Sequence, residues 1–268
     1  MLRFAANLSL MFTEVPFLAR FERAARAGFQ AIEFQFPYAH ALADLVACQR
    51  DTALECVLFN APPGDPARAE RGIAALPGRE REFDHSITHA LEYAAALHCP
   101  RLHVMAGRTS QGASHAVYVQ NLRRAAARAA TSGVTLLVEP INQSDIPSYL
   151  INRTDDALAV IEEAAAPNVR LQFDLYHRQR VEGDLAHAIQ RYVPRAGHLQ
   201  IAQAPDRGEP DVGEINYRYV FDCIEAAGYD GWIGCEYTPR GDTEEGLRWR
   251  ARLGVEMRTD TDDPRSGS

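Results

Sequence analysis

The chain has 268 residues, 46% hydrophobic and 24% charged, with 36 acidic against 28 basic side chains and a formal net charge of -8. That balance describes a soluble globular protein with a substantial core and argues against a nucleic acid or an anionic membrane as the main partner. All 28 basic residues are arginine, which excludes chemistry that needs a lysine amine, such as Schiff-base aldol cleavage, pyridoxal phosphate catalysis and Walker-type phosphate binding.

In chain order, short apolar runs at residues 4–11, 31–36, 54–62, 101–107, 135–142, 169–176, 198–203 and 232–237 read as strands. Segments at 17–29, 86–98, 119–133, 154–166 and 219–229 carry apolar residues three and four apart and read as helices. Gly28, Gly133 and Gly228 mark helix ends, and Thr154 or Asp155 a helix start. Eight strand-helix units predict an α/β fold of (β/α)8 type, a TIM barrel, as a single domain over residues 1–257. A doubly wound open sheet is the alternative, although the Gly-rich first turn it calls for is missing. Long loops at 62–84 and 204–216 follow the third and seventh strands, on the face where such barrels bind substrate, and 258–268 reads as a polar, disordered tail.

The five cysteines, Cys48, Cys56, Cys99, Cys223 and Cys235, are scattered without a C-x-x-C pair. They suggest neither a disulfide framework nor a structural zinc site and fit a reduced, cytoplasmic setting. The N-terminal apolar run is interrupted by Glu14 and Pro16, too soon for a signal peptide or membrane span, and no other stretch approaches membrane length.

Four neighbouring strands each deliver an oxygen ligand near their ends: Glu139, Asp174, Gln200 and Glu236. In a barrel these positions converge, and three crowded carboxylates stay ionised only if a cation neutralises them. Three carboxylates and an amide suit Mg2+ or Mn2+ better than zinc. The competing reading is that each acid caps a helix or pairs with an arginine. His177 is placed to polarise a substrate carbonyl and Arg207 to grip a carboxylate, with Glu209 and Asp211 close to it in sequence. His103 and His198 read as supporting residues, and His85, His89 and His187 as helix-surface residues.

Seven segments, RFAANLSLMFTEVPFLARF, ALPGRE, LHVMAG, VEPIN, QFDLYH, HLQIAQAPDRGEPDVGEINY and GWIGCEYTPRGDTEEGL, span nearly the whole chain in order. Together they resemble the hydroxypyruvate isomerase family, including its 2-oxo-tetronate isomerase branch, among the xylose isomerase-like barrels. The resemblance implies that Glu139 and Glu236 are the catalytic pair and that these two, with Asp174 and Gln200, hold the metal. Related sugar epimerases generally have histidine where Gln200 stands. Relatives often have Thr-Arg in place of Gln143 and Ser144, and many have lysine in place of Thr238.

The implied reaction moves a carbonyl by one carbon through an enediolate, one glutamate removing a proton and the other returning one, with the base unassigned. Hydroxypyruvate to tartronate semialdehyde is the first expectation and 2-oxo-tetronate to 3-oxo-tetronate the alternative. A ketose 3-epimerase and a noncatalytic sugar-acid binding protein are further alternatives. A DNA-repair endonuclease on the same barrel would call for more metal-binding histidines and a basic surface. The partner expected is thus a small hydroxy or oxo acid, and a homo-oligomer stays open.

Overall fold

A computed structural model describes residues 1–255; the expected tail at 258–268 lies outside them. Eight parallel strands close in chain order: β1 (Arg3–Asn7), β2 (Ala31–Phe34), β3 (Glu55–Asn60), β4 (Arg101–His103), β5 (Thr135–Val138), β6 (Val169–Asp174), β7 (Ala196–Ile201) and β8 (Trp232–Cys235), with β8 pairing back onto β1. Closure overturns the open-sheet alternative. Around the barrel run α1 (Ala19–Arg26), α2 (Leu42–Thr52), α3 (Glu80–Ala96), α4 (His115–Ala130), α5 (Thr154–Ala164), α6 (Leu175–Val181), α7 (Leu185–Tyr192), α8 (Tyr217–Ala226), α9 (Thr243–Gly246) and α10 (Trp249–Leu253). Among the described residues no helix is long and apolar enough to cross a membrane.

Strand residues alternate between two environments, as the pleat requires. Phe4, Ala6, Ile32, Phe34, Leu136, Val138, Leu171, Phe173, Leu199, Ile201, Ile233 and Cys235 join the large core beneath the helices. Ala5, Ala31, Val57, Leu58, Leu137 and Trp232 fall in a separate small cluster inside the barrel, the consecutive Val57 and Leu58 breaking the alternation where the β2–β3 register shifts. Two residues further along the inward-facing series the interior turns polar. Glu33 Oε2 lies 2.6 Å from His198 Nε2 across the barrel, and Glu33 Oε1 accepts hydrogen bonds from Asn7 (2.9 Å) and Gln200 (2.8 Å). Glu33 is fully buried, and Gly234 leaves it the space, since a Cβ there would collide with its carboxylate.

Several element boundaries differ from the expected ones for local reasons. The first strand stops at Asn7 because Leu10 and Met11 amides turn back onto the Asn7 carbonyl. The insertion at 62–84 is shorter than it reads, because α3 begins at Glu80 and Ile73, Ala74, Ala75 and Leu76 are buried. Thr154 opens α5 without capping it: its amide and hydroxyl both donate to the Glu182 carboxylate at 2.9 Å. Gly28, Gly133 and Gly228 do follow their helices in the left-handed region, as expected.

Gly234→Ala forces the Glu33 carboxylate out of its hydrogen bonds. It is expected to lower unfolding stability by about 1–3 kcal/mol, read from the midpoint and slope of urea denaturation.

Candidate active site

The same alternation carries the acids to one end of the barrel. Glu139 follows β5 by one residue, two beyond inward-facing Leu137, and Glu236 follows β8 by one, two beyond Gly234. Pro140 follows Glu139 directly and cannot donate to the ladder. Both glutamates line a cavity of about 420 Å3 with His103, His177, Arg207, Arg71, Gln35, Asn60, Asp145 and the apolar Phe36, Met105, Ile141 and Ile146.

Asp174, the last residue of β6, serves two ends. Its Oδ1 caps α6, accepting from the amides of Tyr176 (2.7 Å) and His177 (3.4 Å), whereas its buried Oδ2 accepts no hydrogen bond. The cap reading and the site reading therefore both apply to this residue. Burial raises the Asp174 carboxyl to about 7, with Arg207 opposing and Glu236 adding to the rise.

Arg207 is the guanidinium at the centre of these acids. Its Nη2 lies 2.7 Å from Glu236 Oε2 and 3.8 Å from Asp174 Oδ2, its Nη1 is 3.4 Å from Asp145 Oδ2, and its Nε donates to the Glu236 carbonyl at 3.4 Å. The group also lies over the Tyr176 ring, 5.2 Å from its centroid. Glu209 and Asp211 do not join it; they hold Arg240 at 3.0 Å and Arg252 at 2.6 Å.

The two glutamates differ in environment. Burial, then Glu236 and Asp174, push the Glu139 carboxyl well above the usual carboxylate range. Burial also raises Glu236, but Arg207 and a hydrogen bond from Gln35 (3.3 Å) oppose the rise. Glu139 therefore keeps its proton to higher pH than Glu236.

His177 is neutral, its imidazolium disfavoured first by burial and then by Arg207. Asn142 Oδ1 accepts from the Asp145 amide (2.9 Å), which turns the Asn142 side-chain nitrogen toward His177 Nδ1 at 2.7 Å; the Asn142 amide also donates to that atom at 3.4 Å. Nδ1 is thus an acceptor and the ring proton sits on Nε2, 3.6 Å from Asp174 Oδ2 and 3.8 Å from Glu139 Oε1.

Oxygens of Glu139 and Asp174 and a His177 ring nitrogen lie within 4.8 Å of one another, and Glu139 Oε1 and Asp174 Oδ2 are buried without hydrogen-bond partners. Two such oxygens fit a hard divalent cation. The Nε2 proton makes His177 a donor there. Of the four expected ligands, two are not brought to the cluster: Gln200, whose Nε2 donates to Glu33 and whose Oε1 accepts from Gln172 at 2.6 Å, and Glu236, whose Oε2 lies 2.7 Å from Arg207 Nη2.

His103 and Arg71 are cavity residues that the sequence reading left out of the site. His103 is the last residue of β4, as Asp174 is of β6, so its strand-terminal position was the available signal. Its Nδ1 lies 3.4 Å from Glu139 Oε2 and its buried Nε2 has no hydrogen-bond partner. His198 is the supporting residue expected, and His85, His89 and His187 are exposed.

Burial lowers the His103 pKa to about 3. The unfolded chain therefore binds the extra proton first, from about pH 6.5 down. The resulting stability is complete above pH 6.5 and is lost as pH falls toward 3. His103→Gln removes this loss, so the stability difference between wild type and variant should move by about 2 kcal/mol in the variant's favour between pH 8 and pH 4.5, measured by denaturant unfolding at each pH.

A family profile described as xylose isomerase-like TIM barrel matches residues 21–253. The 2-oxo-tetronate isomerase of Cupriavidus necator is 53% identical over 92% of this chain and 96% of its own length. The hydroxypyruvate isomerase of Escherichia coli is 47% identical over 93% and 98%. A crystal structure from Brucella melitensis, described as AP endonuclease, family 2, superposes with a TM-score of 0.91 at 48% identity, covering 94% of this chain and 99% of that one. The chain belongs to the xylose isomerase-like TIM barrel family, among its hydroxypyruvate isomerase and 2-oxo-tetronate isomerase members.

Proposed function

We propose that the protein is an isomerase that shifts the carbonyl of a short 2-oxo hydroxy acid by one carbon, with hydroxypyruvate to tartronate semialdehyde as the first substrate pair. The observation that carries this reading is the pair of buried glutamates on one cavity, with the Glu139 carboxyl pushed well above the usual carboxylate range and Glu236 held 2.7 Å from Arg207. The relatives named hydroxypyruvate isomerase and 2-oxo-tetronate isomerase support the reaction class, and the one at 53% identity keeps the four-carbon acid as the second reading.

The substrate must lose a proton from the carbon beside its carbonyl and gain one on the former carbonyl carbon, while the hydroxyl proton passes from one oxygen of the intervening planar enediolate to the other. Glu236 accepts the first proton: Arg207 opposes the rise that burial imposes on its carboxyl, and Asn7, Gln35 and Arg207 hold it in place. Glu139 supplies the second. The His177 Nε2 proton points toward the Glu139 and Asp174 oxygens, where it can donate to an oxygen of the enediolate. Arg207 balances the negative charge that Glu236 and Asp174 bring to a buried site. The reverse reaction exchanges the two glutamates' roles by microscopic reversibility.

Glu139 and Asp174, whose unpartnered oxygens lie beside His177, are the residues that would hold Mg2+ or Mn2+; Glu236 would join them only by giving up Arg207, and Gln200 only by giving up its bond to Gln172. Such an ion, when bound, stabilises negative charge on an oxygen of the substrate. The five free cysteines support a reducing, cytoplasmic setting. The acid-rich cavity and the net charge of -8 support a small-molecule substrate over a nucleic acid.

Glu139→Gln and Glu236→Gln are each expected to reduce turnover of hydroxypyruvate by about 10²–10⁴-fold, in rate assays run with and without chelator and repeated on 2-oxo-tetronate. Full turnover by either variant would refute the assignment of the pair.

A further inference from the structure

Arg207 is heavily committed. Each of its three nitrogens already has a protein oxygen, the nearest at 2.7 Å on Glu236. Arg71 is the other arginine lining the cavity, and its position is the opposite. Its one hydrogen bond runs from Nη1 to the Glu70 carbonyl at 3.3 Å, and among the described residues no carboxylate lies within 4.0 Å of its guanidinium.

The loop that carries Arg71 is fixed in place. Glu70, 1% exposed, accepts from the Asp65 amide at 2.7 Å and binds Arg79 through both oxygens at 2.8 and 3.2 Å. On the other side of Arg71, the Gly72 amide donates to the Pro63 carbonyl and the Ala75 amide to the Ala106 carbonyl, each at 2.8 Å. Gly72 has φ +105° and lies against the Met105 carbonyl, leaving no space for a Cβ. An arginine without an acid partner is thus delivered to the mouth of an acid-lined cavity from immobile backbone.

We propose that Arg71 binds the carboxylate of the substrate, leaving Arg207 to hold Glu236. This rests on the reading of the site as acting on a 2-oxo hydroxy acid. An anion entering past Asp145 and Glu236 is repelled by them, and Arg71 is the lining cation that, among the described residues, has no carboxylate partner. Its planar fork matches a carboxylate through two parallel hydrogen bonds. With the acid group held at the β3–α3 loop, the carbonyl and hydroxyl carbons extend toward the two glutamates.

The test compares wild type, Arg71→Gln and Arg71→Lys in hydroxypyruvate kinetics and in calorimetric binding of D-glycerate, which keeps the carboxylate and lacks the carbonyl. In Arg71→Gln, KM for hydroxypyruvate and Kd for D-glycerate should each rise about 10–100-fold, as for loss of a charged hydrogen bond, while kcat changes by less than about 3-fold. Arg71→Lys should recover part of both losses. Wild-type KM and Kd in Arg71→Gln, or a fall in kcat alone, overturn the proposal and leave the isomerase reading standing. Arg71-dependent glycerate binding by a wild-type protein that turns over neither acid sinks the isomerase reading and sustains Arg71 as the carboxylate anchor. A wild-type protein that turns over neither hydroxypyruvate nor 2-oxo-tetronate and does not bind D-glycerate overturns both.

Discussion

Three buried carboxylates share one guanidinium at the C-terminal end of this barrel, and the chemistry of the site follows from that imbalance. Arg207 reaches Glu236 at 2.7 Å and Asp174 only at 3.8 Å, and it makes no ion pair with Glu139. Charge in a buried site is stabilised by a close opposite charge or avoided by protonation. The imbalance therefore sets two glutamates of the same chemical type apart, Glu139 keeping its proton to higher pH than Glu236, the kind of difference a carbonyl shift requires of its acid and base. It also leaves Glu139 Oε1 and Asp174 Oδ2 buried without hydrogen-bond partners.

Such an arrangement is costly for the fold, and the layer beneath it shows how it is held. Glu33 fills its carboxylate with His198, Gln200 and Asn7, and Asn7 in turn reaches Glu236 Oε1 at 3.4 Å. The polar interior is thus a relay of position: a buried acid from β2 sets the side-chain nitrogen of β1, which supports the acid that follows β8. Because buried polar groups are stable only when satisfied, displacing Glu33 disturbs Glu236 without touching the cavity. The His177 tautomer has the same kind of cause. It is set by the Asn142 amide, whose orientation is decided by the backbone of Asp145.

The barrel and the convergence of its acids were legible because both rest on short-range pattern. Parallel strands buried on both faces read as continuous apolar runs, and an acid at the end of such a run has few bland explanations once it repeats on β5, β6 and β8. Side-chain direction was harder to read. Gln200 sits at the right depth on β7, but which end of its amide faces the cluster is decided by Glu33, which in AIEFQF looks like an ordinary strand residue. Arg207 was legible as a site arginine, though the acids it pairs with come from elements some 30 and 60 residues away. Arg71 lies in a stretch with three other arginines, and only the folded path shows that Arg79 is consumed by Glu70 while Arg71 reaches the cavity. Helices α6, α9 and α10, of seven, four and five residues, fell below the length at which an apolar period can be recognised.

The division of labour between strand ends and loops bears on which acid the protein prefers. Hydroxypyruvate and 2-oxo-tetronate share the carboxylate, the carbonyl and the adjacent hydroxyl-bearing carbon, so groups aimed at those atoms treat the two alike. Glu139, Glu236 and His177 are of that kind, and each is held by the barrel or its immediate neighbours. What differs is one further hydroxymethyl group, and it can be sensed only by wall residues beyond the reacting atoms. In this cavity those are Phe36, Met105, Ile141 and Ile146, all contributed by segments that follow strands. A cavity of about 420 Å3 lies within the range of small-molecule sites, roughly 300–1,000 Å3, and the strand-borne groups do not close it against a fourth carbon. Discrimination by a methylene-sized difference against an apolar wall is worth only about 1–3 kcal/mol. An enzyme with this wall would separate the two acids by a ratio of rates while running the same proton transfer on both.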